Sequence, residues 1–147
     1  MNVPINPSAP AKSTAELIIN APAKYLWQVL TAIDQWPAWQ SAVTASKLSG
    51  PLTEGTTFTW KAGGLSFVSQ IHTVRPYTEF GWTGRTIGTS AIHNWFFEEH
   101  EGKTILRIEE SLQGFLPGLF KSYFQKTLDN GIKNNLLELQ KAVESYP

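Results

Sequence analysis

Residues 92–114 read IHNWFFEEHEGKTILRIEESLQG, two apolar runs separated by a Glu-Gly pair. Strand side chains alternate between two faces, so each run can be sorted by parity. A two-residue hairpin turn at Glu101 and Gly102 pairs His100 with Lys103. Counting back from that turn sets His93 directly opposite Glu110. Ala91, His93, Trp95, Phe97, Leu106, Ile108, Glu110 and Leu112 then share one face. Ile92, Asn94, Phe96, Glu98, Ile105, Arg107, Glu109 and Ser111 share the other. The first set is the more apolar and should face the interior, which aims His93 and Glu110 inward together. An inward carboxylate needs a partner or must hold a proton, and an imidazole across the strand supplies one. The pair admits three readings: a structural contact that fixes register, a polar anchor for a ligand, and an acid–base pair.

Downstream, the pattern changes from period two to helical spacing. From about Leu119, the residues Phe120, Phe124, Leu128, Ile132, Leu136, Leu139 and Val143 recur every three or four positions. Such a stripe predicts one long closing helix that needs a sheet to lie on. Upstream, VTASKLS (43–49), TTFTWKA (56–62), LSFVSQIHTV (65–74) and TEFGWTG (78–84) are short β runs between Gly and Pro signals, as in an antiparallel meander. His72 falls where the apolar alternation slips, which a β-bulge would reconcile. AELIIN (15–20) predicts a first strand, with Asn20 offered as the cap of a helix carrying Ala23, Leu26, Trp27, Leu30 and Ile33 on one face. Pro37 ends that helix and leaves Trp36 and Trp39 on a short turn. Residues 1–14, rich in Pro, Ser and Asn, predict a flexible tail, and 15–147 a single domain.

The chain has 147 residues, with 12 Lys+Arg balancing 12 Asp+Glu, and no basic stripe that would suit nucleic acid. It contains no Cys, which excludes disulfides and thiolate chemistry. The three histidines lack ligand-like spacing, so neither a metal nor another cofactor is expected. No apolar run reaches membrane-spanning length and no secretory signal is visible, which predicts a cytoplasmic protein without stable membrane insertion. Six Trp, eight Phe and four Tyr exceed what a small core needs and suit either a bulky aromatic core or a lined cavity.

Three stretches together resemble one family. INAPAKYLWQVLTAIDQWPAWQ (19–40) is similar to the opening of the START-like, or SRPBCC, superfamily, and IHTVRPYTEFGWTG (71–84) to its central hairpin. IHNWFFEEHEGKTILRIEESLQG resembles its His-containing aromatic strand and the strand that follows, most closely in the polyketide cyclase/dehydrase-like branch. NGIKNNLLELQKAVES (130–145) resembles its closing helix. The resemblance implies an α+β helix-grip fold, a curved antiparallel sheet around a long C-terminal helix with an internal apolar cavity. It implies a small hydrophobic ligand, such as a lipid, a polyketide or another aromatic, bound without a cofactor. Trp27, Trp39, Phe58, Trp60, Phe80, Trp82, Trp95, Phe97, Leu128 and Ile132 are the expected lining, with His93 and Glu110 as polar anchors.

A second reading makes His93 and Glu110 the acid–base pair of a cofactor-independent cyclase or dehydratase. A third is an interaction protein similar to the chaperone-ATPase activators, which predicts a filled core. Fold membership alone does not choose among them. Arg85 is a candidate for the pocket mouth; the resemblance makes GFLPGLFKSYF (114–124), with Phe115, Leu116, Leu119 and Phe120, either a gate or ordinary helix–sheet packing. Gly131, a poor helix former in mid-helix, gives either close packing or room for a ligand.

Overall fold

The computed structural model describes residues 2–144. Its strands are β1 (Ala11–Ile19), β2 (Val43–Leu48), β3 (Thr57–Ala62), β4 (Leu65–Arg75), β5 (Glu79–Thr86), β6 (Thr89–His100) and β7 (Lys103–Gln113). All pair antiparallel in one sheet of order β1-β7-β6-β5-β4-β3-β2. The helices are α1 (Ala23–Thr31), a 3-10 helix (Ile33–Ala38), α2 (Phe115–Leu119) and α3 (Lys121–Glu144). The sheet curves around α3, which packs on β1, β7 and α1. This is the expected α+β helix-grip architecture.

The β6–β7 register is the one counted from the sequence: His100 faces Lys103 and His93 faces Glu110. Glu101 and Gly102 both have positive φ, at 51° and 79°, as a tight hairpin turn matching the twist of its strands requires. The slip in β4 is also present. Pairing with β5 shifts between Ile71 and Thr73, which leaves His72 at the irregularity with Nδ1 2.7 Å from Thr73 Oγ1.

Three boundaries differ from expectation. β1 starts at Ala11, four residues before the expected Ala15, so residues 11–14 belong to the sheet. Their polar composition suits an edge strand. Gln125 of α3 accepts from the Lys12 N–H at 3.1 Å and donates to the Lys12 carbonyl at 2.8 Å, covering β-edge groups that would otherwise face solvent. Residues before β1 are also tied down, since the Asn6 N–H donates to Ser111 Oγ and Asn94 Nδ2 donates to the Val3 carbonyl.

Asn20 does not cap α1. Pro22 occupies the cap position without a side-chain bond, and the Ala23 N–H instead donates to Glu99 Oε1 at 2.7 Å. A carboxylate from β6 thus meets the positive end of the helix. The stripe of α3 is buried at Leu128, Ile132, Leu136, Leu139 and Val143, whereas Phe120 is exposed because it ends α2 one residue before α3 begins.

The concave side of the sheet is filled unevenly. Trp27 makes edge contacts with Phe80 and Phe97, each with centroids 5.7 Å apart. Trp36, from the 3-10 helix, packs against Phe58 and Trp82 at 5.4 Å, with its Nε1–H donating to the Leu30 carbonyl. These rings bind α1 and the 3-10 helix to the sheet. They leave a cleft between α3 and strands β3 to β7.

Candidate functional site

The cleft has a volume of about 320 Å³. Its inner wall is aromatic: Trp36, Trp60, Phe67, Trp82 and Trp95. Trp60 and Phe67 stack face to face at 4.2 Å, and the Trp60 Nε1–H donates to Ser69 Oγ. His93 and Glu110 stand within this wall. One rim is the β5–β6 hairpin, through Arg85, Thr86, Thr89 and Ser90, and another is the Gln40–Val43 connection. The third rim is the α3 face carrying Thr127, Gly131, Asn134, Asn135 and Glu138.

Three adjacent strands build the polar centre. Trp82 of β5 pairs with His93 of β6, which pairs with Glu110 of β7. The His93 ring lies on the Trp82 indole with centroids 4.4 Å apart and planes 6° from parallel. His93 Nδ1 is 2.6 Å from Glu110 Oε1. The histidine is buried at 5 % exposure, while the Glu110 side chain retains 16 %. This polar pair thus closes the floor of the cleft with its carboxylate partly reachable. The far nitrogen, His93 Nε2, is buried without a protein partner, as is Nε1 of neighbouring Trp95.

Of the expected lining, Trp60, Trp82 and Trp95 lie in the wall, together with His93 and Glu110. Trp27, Phe58, Phe80 and Phe97 do not, because their faces are spent on the core beneath α1 and the 3-10 helix. Leu128 and Ile132 are likewise core residues, since the apolar stripe of α3 seals against the sheet and a neighbouring polar face meets the cleft. Trp39 lines a separate groove of about 230 Å³ with Tyr25, Val29 and Val143. Arg85 is at the rim. Phe115, Leu119 and Phe120 are exposed outside it, while the side chain of Leu116 covers Gly88 at the tip of the β5–β6 hairpin.

Sequence reasoning missed Trp36, Phe67 and the polar α3 face apart from Gly131, offered as room for a ligand. The last had a signal. Thr127, Gly131, Asn134 and Asn135 are weak helix formers gathered on one side of a long helix, where exposed positions normally favour strong ones. Gly131 has space beside it, for a Cβ built there meets no atom within 4 Å. Among the described residues, no three His, Asp or Glu side chains gather as metal ligands would, and no helix is long and apolar enough to cross a membrane.

The sequence of residues 10–144 matches the family model described as polyketide cyclase/dehydrase and lipid transport. The chain belongs to this family. Its fold is that of solved structures with distant sequences. A hypothetical protein of Helicobacter pylori superposes with a TM-score of 0.84 at 15% identity, over 97% of each chain. A START superfamily protein of Mycobacterium smegmatis gives 0.79 at 10% identity, over 90% of this chain and 97% of that one. An aromatase/cyclase from a Streptomyces species gives 0.81 at 10% identity, covering 90% and 93%. No curated protein matches the sequence. The family's description joins polyketide cyclase/dehydrase chemistry with lipid transport.

Proposed function

We propose that the protein binds a small, largely apolar molecule in the cleft, with His93 and Glu110 as its polar anchor. The observation that carries this reading is an aromatic-walled cleft that holds a buried histidine bonded to a partly exposed glutamate, with one imidazole nitrogen left unpartnered. Apolar walls around a few convergent polar groups are the usual composition of a ligand site. The volume lies at the small end of such pockets, about 300–1,000 Å³, which favours a molecule of one or two rings over a two-chain lipid. A cleft of this size also counts against the filled core that an interaction protein would need.

The test is a titration of delipidated protein with fatty acids, flavonoids and naphthols, followed through the indole N–H resonances. A ligand should shift Trp60, Trp82 and Trp95 and leave Trp27 in place. If no compound moves the three cleft indoles, the proposal fails.

The pair also supports a second reading, acid–base catalysis of a cyclisation or dehydration. Glu110 orients the ring through Nδ1, which leaves Nε2 as the group that would take or return a proton. Such chemistry moves protons within a sheltered site and needs no cofactor. Under this reading, Glu110→Gln lowers kcat on an authentic substrate while KM changes little. Equal kcat in the variant and the parent would remove it.

A further inference from the structure

Five large apolar side chains stand in solvent at one end of the molecule. Ile87, at the tip of the β5–β6 hairpin, is 72 % exposed, and Phe115, Leu119, Phe120 and Tyr123 of α2 and the start of α3 are 52–74 % exposed. Single exposed apolar residues are ordinary, but these are gathered. The Leu116 N–H donates to the Gly88 carbonyl at 3.0 Å, and a Cβ built on Gly88 would strike the Leu116 side chain. Leu116 thereby fixes α2 on the hairpin tip, and Pro117 is buried beneath it. Phe115 and Leu119, one helical turn apart, are left outside the core.

The charges around this end have one sign. Residues 80–97, which hold the hairpin tip, and 111–128, which hold α2 and the start of α3, carry Arg85, Lys121 and Lys126 and no Asp or Glu. All three cations are exposed, and none pairs with an acidic side chain among the described residues. Lys121 and Lys126 share a shallow groove with Pro10, which precedes β1 at the same end of the sheet. Asp129 borders that groove too, but Ser13 and Gln125 both bond its carboxylate. The other end of β6, about 36 Å away by strand length, turns through Glu98, Glu99 and Glu101 with Lys103 beside them. A chain with no net charge is thus polarised, and its exposed rings sit at the cationic end.

We propose that this end docks on an anionic lipid bilayer, its apolar side chains entering the headgroup boundary and its cations meeting lipid phosphates. Aromatic and branched apolar groups beside Lys and Arg are the usual composition of such a peripheral contact. A second copy of the chain fits less well, since a symmetric interface would set the same cations face to face. Arg85 is also on the rim of the cleft, so docking turns that opening towards the bilayer. The proposal does not rest on the cleft being a ligand site, for vesicle binding is read without a ligand.

The test is cosedimentation of the full chain with vesicles of phosphatidylcholine, alone or with about one-third phosphatidylserine. Binding to the mixed vesicles is expected to be about tenfold tighter or better, and to weaken with salt. Lys121→Gln with Lys126→Gln should weaken it about 25-fold, near fivefold for each charge. Phe115→Ser with Leu119→Ser should weaken it about tenfold or more while the melting temperature stays at the parent's, since neither side chain is in the core. Lys24→Gln with Lys103→Gln, at the acidic end, should change it by less than about twofold and controls for total charge. A parent that stays in solution with both kinds of vesicle, or patch variants that bind as the parent does, overturns the proposal. So does a control pair that loses as much as the Lys121 and Lys126 pair. Self-association of the parent without vesicle binding also overturns it and assigns the patch to a second copy.

Discussion

The imidazole of His93 lies flat on the indole of Trp82, with ring centroids 4.4 Å apart, while its Nδ1 bonds Glu110 on the opposite neighbouring strand. Stacking and hydrogen bond together leave the ring little freedom. Removing the acceptor alone strands a buried N–H, which costs about 1–3 kcal/mol. Glu110→Leu should therefore lower the urea midpoint with an unchanged m-value. Glu110→Gln, whose carbonyl can still accept, should lose less than half as much. Equal losses would mean that the bond contributes nothing beyond side-chain bulk.

Glu99 caps α1 from outside the helix, through the 2.7 Å bond to the Ala23 N–H. The helix has no capping side chain of its own. Glu99→Ala is expected to cost about 0.5–2 kcal/mol, the usual value of a lost cap, in a chemical denaturation curve. Glu98→Ala is its control, because Glu98 is exposed and its ion pair with His100 is a surface contact worth little.

Gly114 joins β7 to α2 with φ at 119°, and a Cβ there would stand 2.7 Å from the Gly88 carbonyl oxygen. Both the backbone conformation and the close approach exclude a side chain. Gly114→Ala should lose about 2–3 kcal/mol, or more once the clash moves the β5–β6 hairpin. Calorimetric melting reads the loss directly.

Gly131 presents the opposite case. It lies within α3 beside open space, where a methyl group meets nothing within 4 Å. Gly131→Ala should therefore raise stability by up to about 1 kcal/mol, the difference in helix propensity. A fall in the melting temperature would show that the space is not free.

The hairpin at 92–114 was legible because three local signals agree: alternation, a tight turn and a charge matched across strands. From that register the His93–Glu110 contact followed without knowledge of any other element. The cleft lining was only partly legible, since parity says that a ring faces the concave side and not what else is there. Phe80 and Trp82 share a face of β5, yet Phe80 lies outside the cleft wall and packs against Trp27, while Trp82 opens onto the cleft. The outcome depends on where α1 and the 3-10 helix sit, which is long-range packing. On α3 the apolar stripe identified the face that seals the core, and the cleft-facing side had to be sought among the polar residues beside it. The cap on α1 was hidden for the same reason, for Glu99 is 76 positions from Ala23.

The most direct test of the central claim is to fill the cleft from its rim. Gly131 shares a helix face with Thr127 and Asn135, and all three line the opening. Gly131→Leu places a branched side chain across that opening while improving the propensity of α3. Titration of 2-naphthol into this variant, read on the Trp60, Trp82 and Trp95 indoles, should show affinity reduced about tenfold or more with a melting temperature no lower than the parent's. An unchanged affinity in the folded variant would contradict the claim that the ligand enters and occupies this cleft.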